Sequence, residues 1–101
     1  MISSNISSLT SNQTYMNNSA NNVANVNTDG FIPKNTLVKE NGGNSTQAIS
    51  SRADDTKSEK SQTNLNKEIT DQISIENITE ANVNAIRTQD EMLGSLLDIK
   101  A

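Results

Sequence analysis

Apolar residues recur with a seven-residue spacing in the first part of the chain, and this spacing constrains the fold more than any other feature. The steps between them are four, three, seven, four and three residues, with Gln13 at the skipped position; the series is Ile2, Ile6, Leu9, Met16, Ala20 and Val23. Such a repeat is typical of a helix that packs on another helix, and strand alternation fits it far less well. The spacing predicts a helix over about residues 2–28.

A second helical pattern occupies the C-terminal region and has two apolar stripes. The first stripe includes Asn82 and Gln89 as polar members; its apolar members are Ile75, Ile78, Ala85, Met92, Leu96 and Ile99. The adjacent stripe, interrupted by Asp90, consists of Val83, Ile86, Leu93 and Leu97. The sequence therefore predicts a helix over about residues 63–100 with two packing surfaces, of which one short N-terminal helix can cover one. The other surface is expected to face another copy or another protein.

The segment between the two patterns is polar. From Glu40 to Gln62 the apolar residues are Ala48, Ile49 and Ala53, and two adjacent glycines are present. This composition is typical of a flexible linker or a surface loop.

Before that segment, Gly30 provides a turn that closes a helix without steric cost. Phe31 to Pro33 is predicted to be extended, because the residue before a proline avoids the helical region. Leu37 and Val38 continue either as a brief strand or as an irregular arm.

Together these patterns predict an all-α fold. Two long helices, over about residues 2–28 and 63–100, pair as an antiparallel coiled-coil-like hairpin with a polar irregular connection. We divide the chain into an N-terminal helix with its turn and arm (1–39), a flexible polar linker or loop (40–62) and a C-terminal helix (63–101).

Composition argues against catalysis and most ligand sites. The chain has no cysteine, histidine or tryptophan, so disulfides, thiolate or imidazole metal ligands and a histidine base are excluded. The paired carboxylates Asp54 and Asp55 lie in the polar segment, where a solvated pair is expected. We expect no enzymatic activity, no cofactor and no metal, and the net charge of −4 argues against a nucleic-acid partner. No apolar run approaches a membrane span, and no cleavable signal peptide is expected.

Two motifs resemble signatures of a known family. Residues 19–31, SANNVANVNTDGF, resemble the N-terminal signature of bacterial flagellar axial proteins, the subunits of the rod, the hook and the hook–filament junction. Residues 80–100, EANVNAIRTQDEMLGSLLDIK, are similar to the C-terminal signature of the same family. The two motifs together comprise 34 of the 101 residues, about a third of the chain.

The resemblance implies a structural subunit of the basal-body rod, in the hook-proximal axis. In that family the terminal helices pair and stack into a helical tube that surrounds the export channel and transmits torque. The implied partners are other rod or hook subunits, copies of the chain itself and the flagellar type III export apparatus. The implied location is the periplasmic rod of the basal body, reached without a cleavable signal peptide.

The resemblance leaves two questions open. The short middle segment is similar to the smallest proximal rod subunits, whereas the C-terminal ending is more similar to distal rod, hook and junction subunits. An alternative function is an assembly, adaptor or capping factor that mimics an axial subunit and regulates rod or hook construction or export.

The residues expected to carry helix packing and assembly combine the apolar stripes with the motif positions. In the N-terminal part they are Ile6, Leu9, Met16, Ala20, Asn21, Asn22, Val23, Ala24, Asn25, Thr28, Gly30 and Phe31. In the C-terminal part they are Ile78, Ala85, Ile86, Gln89, Met92, Leu93, Leu96, Leu97 and Ile99. Within the motif, Ala20 and Ala24 are small enough for close helix approach, and Phe31 is the large apolar anchor after the turn.

Overall fold

The computed structural model describes residues 2–40, residue 42 and residues 45–100, with side chains from residue 4 to residue 97 in these ranges. Four elements follow one another along the chain: helix α1 (Ile2–Ala24), strand β1 (Lys34–Glu40), strand β2 (Thr46–Arg52) and helix α2 (Leu65–Lys100). The molecule is a slender rod, with principal extents of 67 × 24 × 14 Å. No helix in the described part of the chain combines the length and hydropathy needed to span a membrane.

Helix α1 ends at Ala24, somewhat earlier than predicted. Side chains that precede α2 bind the backbone oxygens at this end: Thr63 Oγ1 donates to Asn22 O (3.0 Å) and Ser61 Oγ to Asn25 O (2.8 Å). These hydroxyls add to the turn-type backbone hydrogen bonds that the same two oxygens accept from Asn25 N (3.2 Å) and Thr28 N (3.0 Å) at the helix end. Gly30 follows with a φ of 73°, and its N–H donates to Glu59 O at 2.8 Å. Hydrogen bonds therefore connect the C-terminal end of α1 and the turn after it to the residues just before α2.

The predicted all-α fold is wrong, because the fold is mixed α/β. Strands β1 and β2 form a two-stranded antiparallel sheet in which Lys34 pairs with Arg52 and Glu40 with Thr46. Most of the sheet's side chains are exposed, so its burial of apolar surface is small. Instead, polar side chains of α1 bind the sheet through hydrogen bonds. The small number of apolar residues in this segment therefore did not predict the sheet. The irregular connection predicted between the helices thus contains a β-hairpin.

Helix α2 runs antiparallel to α1 and is the longest element. It starts after Asn64, whose Oδ1 accepts the backbone N–H of Lys67 at 3.2 Å as an N-cap. Among the described side chains of the two helices, Ile75 is the buried apolar residue, at 3% exposure. The interior of this rod is therefore mostly polar.

Candidate assembly interface

The seam between α1 and α2 is built from hydrogen-bonded polar side chains. Asn82 Nδ2 donates to Ser8 Oγ at 3.0 Å, and Asn12 Nδ2 donates to Thr79 Oγ1 at 3.3 Å. From the first pair to the second, the residue number falls on α2, from Asn82 to Thr79, while it rises on α1, from Ser8 to Asn12. Antiparallel helices require this order. Because each bond needs a particular partner, polar pairs of this kind specify the register of two helices more strictly than apolar contacts do.

A buried carboxylate lies at the end of this seam. Glu68 is 3% exposed, and its carboxylate accepts Ser19 Oγ at 2.6 Å and Asn22 Nδ2 at 2.9 Å. Gln72 Nε2 in turn donates to Ser19 Oγ at 3.1 Å. Hydrogen bonds to a charged acceptor are stronger than neutral ones, and here they replace the water that Glu68 loses on burial.

Asn22 joins three elements at this point. Its Nδ2 also donates to Lys34 O at 2.8 Å, and its Oδ1 accepts Lys34 N at 2.9 Å. Its side chain is 1% exposed. Helix α1, the start of β1 and Glu68 of α2 are therefore held by one amide group.

A second polar face of α1 binds the β-hairpin. Ser7 Oγ donates to Thr46 O and accepts Thr46 N, both at 2.8 Å. Asn18 Nδ2 contacts Thr36 Oγ1 at 2.8 Å and Ser50 Oγ at 2.7 Å, one on each strand. The hairpin therefore packs on α1, on the side opposite to the apolar stripe of that helix.

The apolar stripe of α1 borders an open groove beside the seam. This groove has a volume of about 570 Å³; its walls are Leu9, Asn12, Gln13 and Met16 of α1 and Ile75, Glu76, Thr79 and Glu80 of α2. Leu9 and Met16 are half-buried, and Ile6 is 52% exposed. A helix can lie in such a groove and cover both walls.

The predicted assembly residues differ in their exposure to solvent. Asn22 is buried; the half-buried residues are Leu9, Met16, Val23, Asn25, Phe31, Ala85, Ile86 and Gln89. The exposed residues are Ile6, Ala20, Asn21, Ala24, Thr28, Gly30, Ile78, Met92, Leu93, Leu96 and Leu97. The side chain of Ile99 lies outside the described residues. Ala20 and Ala24 thus face solvent and not α2. Asn25 makes local hydrogen bonds: its Nδ2 donates to Asn21 O at 2.8 Å, and its Oδ1 accepts Thr28 Oγ1 at 3.0 Å.

Sequence analysis missed several residues of the seam. The apolar heptad leaves Ser8 and Asn12 on other faces of α1, Ser19 entered only as the first residue of the N-terminal motif, and Glu68 was not singled out. A signal was present, because Ser8, Asn12, Tyr15, Ser19 and Asn22 are themselves spaced by four, three, four and three residues. This polar heptad lies beside the apolar one and forms the contact with α2.

Three side chains have shifted pKa values. Partial burial raises the pKa of Tyr15 above its ordinary value, and the nearby charge of Asp71 raises it further. A hydrogen bond from Lys67 Nζ to Asp71 at 2.7 Å raises the pKa of Lys67. In the loop before α2, hydrogen bonds from Gln62 and from the backbone of Lys57 lower the pKa of Asp55.

These ionisable groups do not converge on a site of chemistry. In the ranges that the structure describes, no three acidic side chains are grouped so that they could hold a metal ion. What the residues provide is a register-specific helix pair with uncovered apolar faces.

Comparison with known proteins bears on the C-terminal part. Residues 57–99, which include most of α2, match the family model described as flagellar basal body rod FlgEFG protein C-terminal. No curated protein shows significant similarity to the chain. A domain of this family is structural and associates the chain with the flagellum, the basal-body rod and motility. Residues 57–99 are thus similar to the C-terminal domain of the flagellar basal body rod family, and this match confirms the resemblance to axial proteins.

Proposed function

We propose that this chain is a structural subunit of the flagellar basal-body rod in the hook-proximal axis. Its helix pair packs with homologous axial subunits into a helical tube that transmits torque and surrounds the export channel. The observation that carries the proposal is the distribution of apolar side chains. Twelve large apolar side chains in the described residues are exposed, while Ile75 is buried.

Assembly accounts for this distribution. Burying one leucine-sized side chain contributes roughly 1.5–3 kcal/mol, so covering even a few of the exposed residues outweighs what one buried isoleucine supplies. The polar seam specifies how α1 and α2 pair, and contacts with neighbouring subunits supply the missing apolar burial. Such a chain orders fully only when it docks.

The same reasoning supports export in a largely unfolded state. A chain with so little apolar interior costs little to unfold, which suits passage through the flagellar type III export apparatus. Its destination would then be the periplasmic rod of the basal body.

Stoichiometry in purified hook–basal bodies tests this function. We expect deletion of the gene to abolish motility, and we expect quantitative mass spectrometry of hook–basal bodies to detect the chain in several copies per rod. A chain that is needed for rod construction but absent from, or far substoichiometric in, the finished structure would overturn the proposal. That result would favour an assembly, adaptor or capping factor instead.

A further inference from the structure

The end of α2 extends beyond α1. Ser8 pairs with Asn82, and α1 begins at Ile2, six residues before Ser8. Six residues after Asn82 is Thr88, so the start of α1 lies level with Thr88 and α2 continues from there to Lys100. We call residues 89–100 the overhang; at 1.5 Å per residue it is about 18 Å long.

The face of α2 that contacts α1 continues into the overhang in the same phase. Contact residues of the seam are spaced by four and three residues: Glu68, Gln72, Ile75, Thr79 and Asn82. Continuing the steps gives Ile86, Gln89, Leu93 and Leu96. Leu93 is 54% exposed and Leu96 63% exposed, with Leu97 beside them at 62%. A helix-binding surface therefore extends past the helix that it binds.

Two elements of a second copy could pack on the overhang, namely its own overhang or its helix α1, and charge distinguishes between them. The overhang carries Asp90, Glu91, Asp98 and Lys100, a net charge of −2, so two overhangs would repel each other. Helix α1, by contrast, contains no charged residue from Ile2 to Ala24. An uncharged helix can cover the acidic overhang without repulsion.

From this continuity and this charge difference we propose that the overhang of one copy packs against the apolar stripe of α1 in a second copy. The contact places Leu93 and Leu96 on the stripe formed by Ile6, Leu9 and Met16, at the α1 wall of the open groove. Glu76 and Glu80 border the opposite wall, and their charge favours placement of the acidic overhang toward α1. This inference rests on the proposed function, since it names the contact between copies in the axis.

The contact is heterologous, because each copy offers the overhang at one end and the α1 stripe elsewhere. A heterologous contact that does not close into a ring propagates into an open helical polymer. One chain thus carries both halves of a repeating contact.

Cysteine crosslinking tests the contact, since the chain has no native cysteine. Purified full-length Leu9→Cys and Leu96→Cys chains are mixed at high concentration and oxidised. We expect disulfide-linked heterodimers in excess over Leu96→Cys homodimers. As a control, Leu37→Cys, also exposed but on β1, replaces Leu9→Cys and is expected to give only background linkage. Predominant Leu96→Cys homodimers, or linkage no greater than the control, would overturn the proposal.

Sedimentation of surface variants provides a second test. The double variant Leu93→Ser/Leu96→Ser is expected to weaken self-association about tenfold or more, because buried leucines contribute strongly to binding. Ile73→Ser, at 56% exposure on another face of α2, serves as the matched control and should change association little. Equal effects of the two variants, or no association of the parent chain at the highest concentration, would contradict the inference. Stoichiometric presence in basal bodies without this contact would leave the proposed function intact and refute only the inference.

Discussion

At the level of single residues, the fold depends on buried polar groups more than on apolar ones. Asn22 uses its amide to satisfy Glu68 and both backbone groups of Lys34. A buried polar group that loses its partner costs the full desolvation of that group. Because three elements meet at this amide, its removal affects more than one contact.

Asn22→Ala is accordingly expected to destabilise the helix pair by about 1–3 kcal/mol, since the buried carboxylate of Glu68 and the backbone of Lys34 lose their hydrogen bonds to Asn22. Thermal unfolding followed by circular dichroism measures the change. Asn21→Ala is the matched control, because Asn21 is exposed and its side chain makes one weak contact, at 3.4 Å, with Asn25. Equal midpoints for the two variants would show that the polar cluster does not stabilise the fold.

Gly30 provides a second prediction, based on backbone geometry alone. Its φ of 73° lies in the left-handed region, and a Cβ built there meets nothing within 4 Å. The cost of substitution is therefore conformational, about 1–2 kcal/mol for ordinary residues and less for asparagine. We expect Gly30→Val to lower the thermal midpoint clearly more than Gly30→Asn does. If the two substitutions were equivalent, the turn would not require this conformation.

At the level of elements, the pairing of α1 with α2 can be followed through Tyr15, the single tyrosine of the chain. Burial raises its pKa above the ordinary value of 10.0, with Asp71 as the next cause. A raised pKa favours the neutral phenol in the folded state. The corresponding stabilisation is therefore complete below pH 10.0 and is lost as the pH rises through the folded pKa.

Ultraviolet titration of the phenolate is expected to give a midpoint above 10.0 in the folded chain and near that value in denaturant. Asp71→Asn should lower the folded midpoint only in part, because burial remains. Asp55→Asn, in the loop before α2, should leave it unchanged. A folded midpoint equal to the denatured one would show that Tyr15 does not lie against α2.

The elements also show how far sequence can predict this fold. Both helices were predicted from heptad spacing, and their motifs indicated the family. The hairpin was not predicted, because Ser7 and Asn18 hold it by hydrogen bonds that leave no periodic apolar signal. The sequence pattern predicted that the apolar stripe of α1 contacts α2. In the structure, the polar heptad that contains Asn12 makes this contact instead. Patterns of hydrophobicity detect helices reliably, but they do not show which face of a helix contacts its neighbour when polar residues make the contact.

At the level of the whole molecule, the chain exposes more surface than a compact protein of its size. Its accessible surface is 7159 Å², against roughly 5,600 Å² for a typical folded monomer of this mass. The excess agrees with the elongated shape and with the apolar residues left uncovered along α2. The isolated chain therefore buries less surface on folding than a compact domain does.

This deficit predicts weak cooperativity for the dilute chain. A compact domain of about 100 residues unfolds with an enthalpy of roughly 60–80 kcal/mol near its midpoint. We expect calorimetry and circular dichroism of the dilute chain to give a broad transition and an enthalpy well below that range. Addition of a dye that binds exposed apolar surface should give strong fluorescence under native conditions, because α2 is uncovered. A sharp transition with the enthalpy of a compact domain and no dye binding would show that the monomer is complete on its own, and that neighbouring subunits are not needed to stabilise it.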